Sequence, residues 1–150
     1  MTAVSASIDI AVPPQRVWDV IMDPHHFDEW VTIHRKLGYV DAGGLRPGFR
    51  VDQTLALHHA GFKVKWSLAE LDPPHHAIWE GRGPAGSHAR IVDELTALDG
   101  GERTRFDYHN EYSQPGGFFG RMAGRMLVAG AAEREATRSL ARLKAFLERT

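Results

Sequence analysis

The sequence predicts an α+β fold: a curved antiparallel seven-stranded sheet wrapped around one long C-terminal helix, with two short helices after strand 1. Three observations predict it. Residues 3–12 alternate in polarity and run into two proline-led apolar segments, Ile33 to Tyr112 is a succession of strand-like runs divided by turn residues, and Gly116 to Glu148 carries a helical pattern.

In the first run Val4, Ala6, Ile8, Ile10 and Val12 share one face and Ser5, Ser7, Asp9 and Ala11 the other, the alternation of a half-buried strand. Pro13-Pro14 stops it, and Pro14 suits the first turn of a helix carrying Val17, Trp18, Val20 and Ile21. Asp23 followed by Pro24 ends that helix and caps a second one through Phe27 and Trp30. Six strands follow, at His34–Asp41, Phe49–His59, Phe62–Leu71, Ala77–Gly81, Ser87–Leu98 and Arg103–Tyr112. Pro47-Gly48, Ala60-Gly61, Asp72-Pro73-Pro74, Gly83-Pro84 and Asp99-Gly100-Gly101 supply turns between them. Such short connections make an antiparallel meander.

On the final helix Phe118, Met122, Met126, Ala129, Ala136, Leu140, Leu143 and Leu147 recur at spacings of three and four. About 30 residues at 1.5 Å rise give a rod of roughly 45 Å, far longer than an average helix. Its Leu-rich second half reads as core. Its first half, with Met and with Gly120, Gly124 and Gly130, reads as one wall of a loosely filled space. A meander has one face to bury and this helix is the element long enough to cover it, so a sheet grips a helix around a pocket.

The 150 residues fit a single domain spanning 1–150. Lys and Arg total 18 against 19 Asp and Glu, which gives no electrostatic case for nucleic acid or an anionic membrane. The absence of Cys excludes disulfides, thiolate catalysis and Cys-held metals. Without a basic-then-apolar leader or a run of about 18 apolar residues, a cytoplasmic location and no stable membrane insertion are expected.

Val12-Pro13-Pro14 leading into Val17-Trp18, Trp30, Gly48, the Asp72-Pro73-Pro74 turn, Gly100-Gly101-Glu102-Arg103-Thr104 and Leu140-Ala141-Arg142-Leu143-Lys144, in this order of elements, resemble the helix-grip superfamily over essentially the whole chain. That superfamily, often labelled SRPBCC or START-like, includes lipid-transfer domains and bacterial polyketide cyclase/dehydrase-like proteins. The resemblance implies a helix-grip fold and a cavity for hydrophobic ligands; it does not by itself transfer a reaction.

With each strand's apolar face taken as inward, Phe106, Tyr108, Asn110 and Tyr112 point inside from the last strand, and Phe62, Val64, Trp66 and Leu68 from the fourth. Phe49, Val51, Gln53, Leu55 and Leu57 do so from the third. Residues 87–98 give no winner, because Ile91, Asp93 and Leu95 alternate with Arg90, Val92 and Glu94. The candidate ligand-binding set is Gln53, Trp66, Phe106, Tyr108, Asn110, Phe118, Met122, Met126 and Glu133, with Asp93 added if its face turns inward. Glu133 interrupts the apolar stripe and is the candidate catalytic acid/base. It reads equally as an ion-pair partner of Arg90, Arg125 or a His, or as a solvated edge residue. The aromatic residues are explicable as plain core, and Gln53 and Asn110 as partners of buried backbone.

No metal or cofactor is expected. The doublets His25-His26, His58-His59 and His75-His76 lack ligand spacing, and adjacent strand residues face opposite ways. No nucleophile elbow occurs, and Gly81-Arg82-Gly83-Pro84-Ala85-Gly86 precedes a strand where a phosphate loop precedes a helix. The expected function is binding of a hydrophobic small molecule such as a lipid, polyketide or aromatic metabolite, with Gly116-Gly117-Phe118-Phe119 as a gate or merely a turn. The alternatives are a polyketide cyclase/dehydratase-type enzyme using Glu133 in the same cavity, and an interaction module with a vestigial pocket; oligomeric state is left open.

Overall fold

The computed structural model describes residues 2–57, 59–113 and 122–149, the side chains of 122–129 excepted. Seven strands form one antiparallel sheet: β1 (Thr2–Ile10), β2 (His34–Val40), β3 (Arg50–Leu57), β4 (Ala60–Asp72), β5 (His76–Arg82), β6 (His88–Leu98) and β7 (Arg103–Ser113). Their order, β1-β7-β6-β5-β4-β3-β2, is a meander whose last strand takes β1 along its free edge, with Ala6 opposite Tyr108. Between β1 and β2 lie α1 (Pro14–Ile21), a 3-10 turn (Pro24–His26) and α2 (Phe27–Trp30). The long helix α3 runs from Met122 to Arg149. Its predicted opening at Gly116 lies outside the described residues.

β1 is shorter than its alternation suggests because other elements take its last backbone groups. The Ala11 N–H donates to the Glu148 carboxylate at 2.9 Å, and the Val12 carbonyl accepts from the buried Thr104 hydroxyl at 2.8 Å. Asp23 does cap the turn as its sequence position implies, accepting from the His25 N–H at 2.9 Å. The β3–β4 reversal, expected at Ala60-Gly61, falls two residues earlier. Leu55 pairs with Phe62, which sets the register, and the ladder then continues until Leu57 opposes Ala60. The left-handed backbone sits at His59, with φ 64°, and Gly61 is an ordinary strand residue opposite Ala56.

The core is a cluster in which Leu140, Leu143 and Leu147 of α3 join Ile10, Val17, Trp18 and Phe106, and which extends across the sheet to Val51, Val64, Trp66 and Trp79. The helix α3 lies against β1 and touches α2. Trp66 spreads across Gly81 on the neighbouring strand; a Cβ at Gly81 would stand 2.6 Å from the indole ring, so only glycine admits it.

Two substitutions test this framework. Leu143→Ala removes a wholly buried side chain and is expected to cost about 2–5 kcal/mol in urea unfolding. Thr104→Val keeps the shape but strands the Val12 carbonyl and is expected to cost about 1–3 kcal/mol.

Candidate functional site

Beyond the Leu-packed end, sheet and helix part around a cavity of about 240 Å³. Val51, Leu55, Val64 and Trp66 of β3 and β4 form one wall, and Trp79 and Gly81 of β5 its floor. Ile91 and Asp93 of β6 and Tyr108, Asn110 and Tyr112 of β7 form the facing wall. Trp30 closes the deep end, edge-on to Phe106 at 6.3 Å between ring centres. Ala132, Glu135, Ala136, Ser139 and Leu140 roof it, and the exposed His88 marks its mouth beside Gly83, Pro84 and Ser113.

Two polar networks on this surface are complete in themselves. Trp66 donates its indole N–H to Gln53 Oε1 at 2.9 Å, and Gln53 Nε2 lies 2.9 Å from His34 Nδ1. Because an indole only donates, Gln53 must accept with its oxygen and donate with its nitrogen, so His34 Nδ1 carries no proton. Burial agrees, holding the His34 pKa below the usual imidazole value against the opposing pull of Asp28. On the roof the Thr32 N–H donates to Ser139 Oγ at 3.0 Å and the Thr32 hydroxyl to the Glu135 carboxylate, whose other oxygen takes Arg138 Nη1 at 3.2 Å. This junction pins α3 to the segment after α2.

The β6–β7 wall is different. Asp93 is 5% exposed, directly opposite Tyr108 in the ladder, and its carboxyl has no hydrogen-bond partner among the described residues. Burial pushes its pKa up to about 7, with Glu94 adding to the rise and His76 opposing it. Burial, and then Asp93, likewise push the Tyr108 hydroxyl up, so Tyr108 stays neutral. Asn110 Oδ1, Tyr112 OH and Trp30 Nε1 are buried without partners, and all three residues line this cavity. A protonated Asp93 is a donor in an apolar space and an ionised one a strong acceptor, the properties of an acid/base group.

Of the residues singled out in the sequence, Gln53, Trp66, Tyr108 and Asn110 line the cavity. Phe106 does not; it is wholly buried behind Trp30. Glu133 is exposed and absent from the described lining, which corrects its expected inward placement. Glu135 and Ser139 face inward instead. Phe118 and the side chains of Met122 and Met126 lie outside the described residues, as does His58. Strand β6 turns Ile91, Asp93 and Leu95 inward, so the undecided face is the one that carries an acid. Trp30 and Asp93 were the residues that sequence alternation did not commit, the first on a four-residue helix and the second because a carboxylate breaks the pattern that defines an inward face. Among the described residues no group of His, Asp and Glu is disposed to hold a metal, and no helix is long and apolar enough to cross a membrane.

The seven-stranded sheet, the paired short helices and the gripped C-terminal helix define a helix-grip domain. The chain belongs to the family described as polyketide cyclase / dehydrase and lipid transport, whose model matches residues 1–148. A Mycobacterium tuberculosis protein described as a toxin is 26% identical over 109 residues, 73% of this chain and 76% of that one. Among solved structures, the Zhui aromatase/cyclase of a Streptomyces species superposes with a TM-score of 0.80 at 19% identity, covering 98% of this chain and 93% of that one. A Thermus thermophilus protein matches with the same TM-score and identity over 97% of each chain. These structural likenesses establish the fold.

Asp93 gives the site a signature in stability. The folded chain holds this proton up to about pH 7 while the unfolded chain releases it near the ordinary value of 3.8. Between those values the folded state binds more protons, so this contribution falls as pH rises, by about 1.4 kcal/mol per unit. Asp9, Asp41 and Glu148, whose pKa values are lowered, act in the opposite sense at lower pH. Urea unfolding of wild type and Asp93→Asn between pH 4 and 7 is therefore expected to show the mutant gaining on wild type with pH. A difference flat in pH would mean that Asp93 titrates like a solvated carboxylate.

Proposed function

We propose that the protein binds a hydrophobic small molecule, of the lipid, polyketide or aromatic-metabolite kind, in the cavity between the sheet and α3. The observation that carries this reading is a 240 Å³ space walled by apolar and aromatic side chains yet holding a buried acid with no partner. A core built only for stability has no reason to keep such a group beside empty volume. The family description and the aromatase/cyclase neighbour support it. Gln53, Trp66, Tyr108 and Asn110 are the proposed contacts, Gln53 through its apolar stem because its amide is already engaged.

A second reading, a cyclase or dehydratase-type reaction in the same cavity, is favoured by Asp93 alone. Its pKa near 7 suits proton transfer at neutral pH, and Tyr108 stands opposite it. Asp93 thus takes the acid/base place first assigned to Glu133. Loss of turnover with retained binding in Asp93→Asn would support this reading, and an active mutant would remove Asp93 from it.

Native mass spectrometry of the purified protein, followed by denaturation and identification of what is released, tests the binding reading. A stoichiometric hydrophobic passenger is expected in wild type. Ala136→Trp, which fills the roof of the cavity, is expected to lose that passenger while keeping its circular dichroism spectrum. A passenger retained by a folded Ala136→Trp protein would put the ligand elsewhere.

A further inference from the structure

The outer face of the sheet answers its charges in most places and fails to at one corner. Across the ladders Asp9 stands opposite Arg105 and holds it at 2.9 Å, His76 stands opposite Glu94 at 2.7 Å, and Arg90 lies between Glu80 and Glu111. Directly opposed side chains of like charge destabilise a sheet. Glu94 faces Asp107 in this way, and His76 offsets it. Lys65 of β4 faces Arg82 of β5 in the same way, and no ion pair among the described residues engages either.

Lys63 enlarges this excess. It is two residues from Lys65 on the same face of β4, about 7 Å away, and Lys63, Lys65 and Arg82 line one solvent-open depression beside Gly83 and Pro84. All three are exposed, and Lys63 also forms no ion pair. The acids around them leave the excess standing. Asp52 lies opposite Lys65 on β3 without an ion pair to it, and Glu80, two residues before Arg82 on β5, stands opposite Arg90. The total of 18 Lys and Arg against 19 Asp and Glu conceals this local imbalance.

The chemistry of the corner selects a kind of anion. The Gly81 to Gly86 segment leads into β6, so it has no helix N-terminus to offer and side chains supply the attraction instead. Both β4 and β5 are interior strands, which fixes the stems that carry the cations. A guanidinium takes two oxygens of one phosphate in its planar fork, while Lys acts as a point charge. A carboxylate brings a single charge to three cations; a phosphate ester brings close to two. We infer that Arg82, Lys63 and Lys65 form a site for the phosphate group of a phosphorylated ligand. The site lies on the face of β4 opposite Val64 and Trp66 and is independent of what fills the cavity, although Gly83 and Pro84 border both.

Calorimetric titration with inorganic pyrophosphate at low ionic strength tests the site, and co-sedimentation with phosphatidylcholine vesicles, with and without phosphatidic acid, separates a free phosphate from a lipid headgroup. Binding of pyrophosphate, or retention by the phosphatidic acid vesicles alone, is expected, and either supports the site while naming the source. Arg82→Gln and Lys65→Gln are each expected to weaken that binding at least about fivefold. Asp52→Asn, which removes the opposing charge, is expected to tighten it about twofold. Arg134→Gln, which deletes an exposed cation on α3, is expected to leave it unchanged. Because it relieves a like-charge pair, Arg82→Gln is not expected to lower the urea midpoint of the ligand-free protein. Failure of both probes to bind, or equal losses in Arg82→Gln, Lys65→Gln and Arg134→Gln, would overturn the site.

Discussion

The structure depends on the one-ended seal between α3 and the sheet. Leu140, Leu143 and Leu147 are packed against Ile10, Val17, Trp18 and Phe106, and this cluster holds helix and sheet together at the end where β1 closes on β7. A 28-residue helix cannot make the same contact along its whole length with a twisted, curved sheet. The helix α3 lies chiefly against β1 and α2, and the cavity occupies the space it leaves over the other strands. The hollow follows from the geometry of the seal. The Thr32 junction to Ser139 and Glu135 then holds the roof at a set height, so the space is a built feature rather than a packing fault.

Within that frame the polar groups divide by strand. Burying a hydroxyl, amide or carboxyl without a partner costs on the order of a few kcal/mol, and the molecule avoids the cost on one wall but not the other. Gln53 is the clearest case of avoidance: it takes the Trp66 proton on one side and gives its own to His34 on the other. Asp93 is the clearest case of acceptance. Two ionisable neighbours, Glu94 and His76, pull its proton affinity in opposite directions, and desolvation decides the outcome. His76 is itself engaged by Glu70 and Glu94 at 2.9 and 2.7 Å, so its charge is largely answered before it reaches Asp93.

Much of this was legible in the sequence because alternation is a strong signal when one face is uniformly apolar. The inward sets of β3, β4 and β7, the proline-led helices and the Asp23 cap all emerge from local rules. The failures also have local causes. On β6 an inward carboxylate beside the apolar Val92 cancels the contrast between faces, so the strand's most consequential residue hid its own orientation. On α3 spacings of three and four admit both Ala132 and Glu133, and Glu133 stands only about 20° from Leu140 around the helix, so local periodicity does not separate them. The Gln53 network cannot be read locally at all. It depends on register between β2, β3 and β4, which includes irregular steps between His34 and Lys36 and between Leu37 and Val40.

Misplacing an acid by two positions on the helix changes more than a label. Glu135, the acid that does face inward from α3, is held by Thr32 and Arg138 and serves to fasten the roof. Asp93 lies on a central strand between β5 and β7, where the ladder fixes its backbone, and nothing among the described residues fastens its side chain. An acid on a rigid strand, with an unfilled hydrogen-bonding capacity and a cavity in front of it, destabilises the folded chain at neutral pH. Asparagine or leucine would fit the same strand position at lower electrostatic cost. The fold itself therefore does not offset the cost of this residue, which the described structure leaves uncompensated beside the cavity.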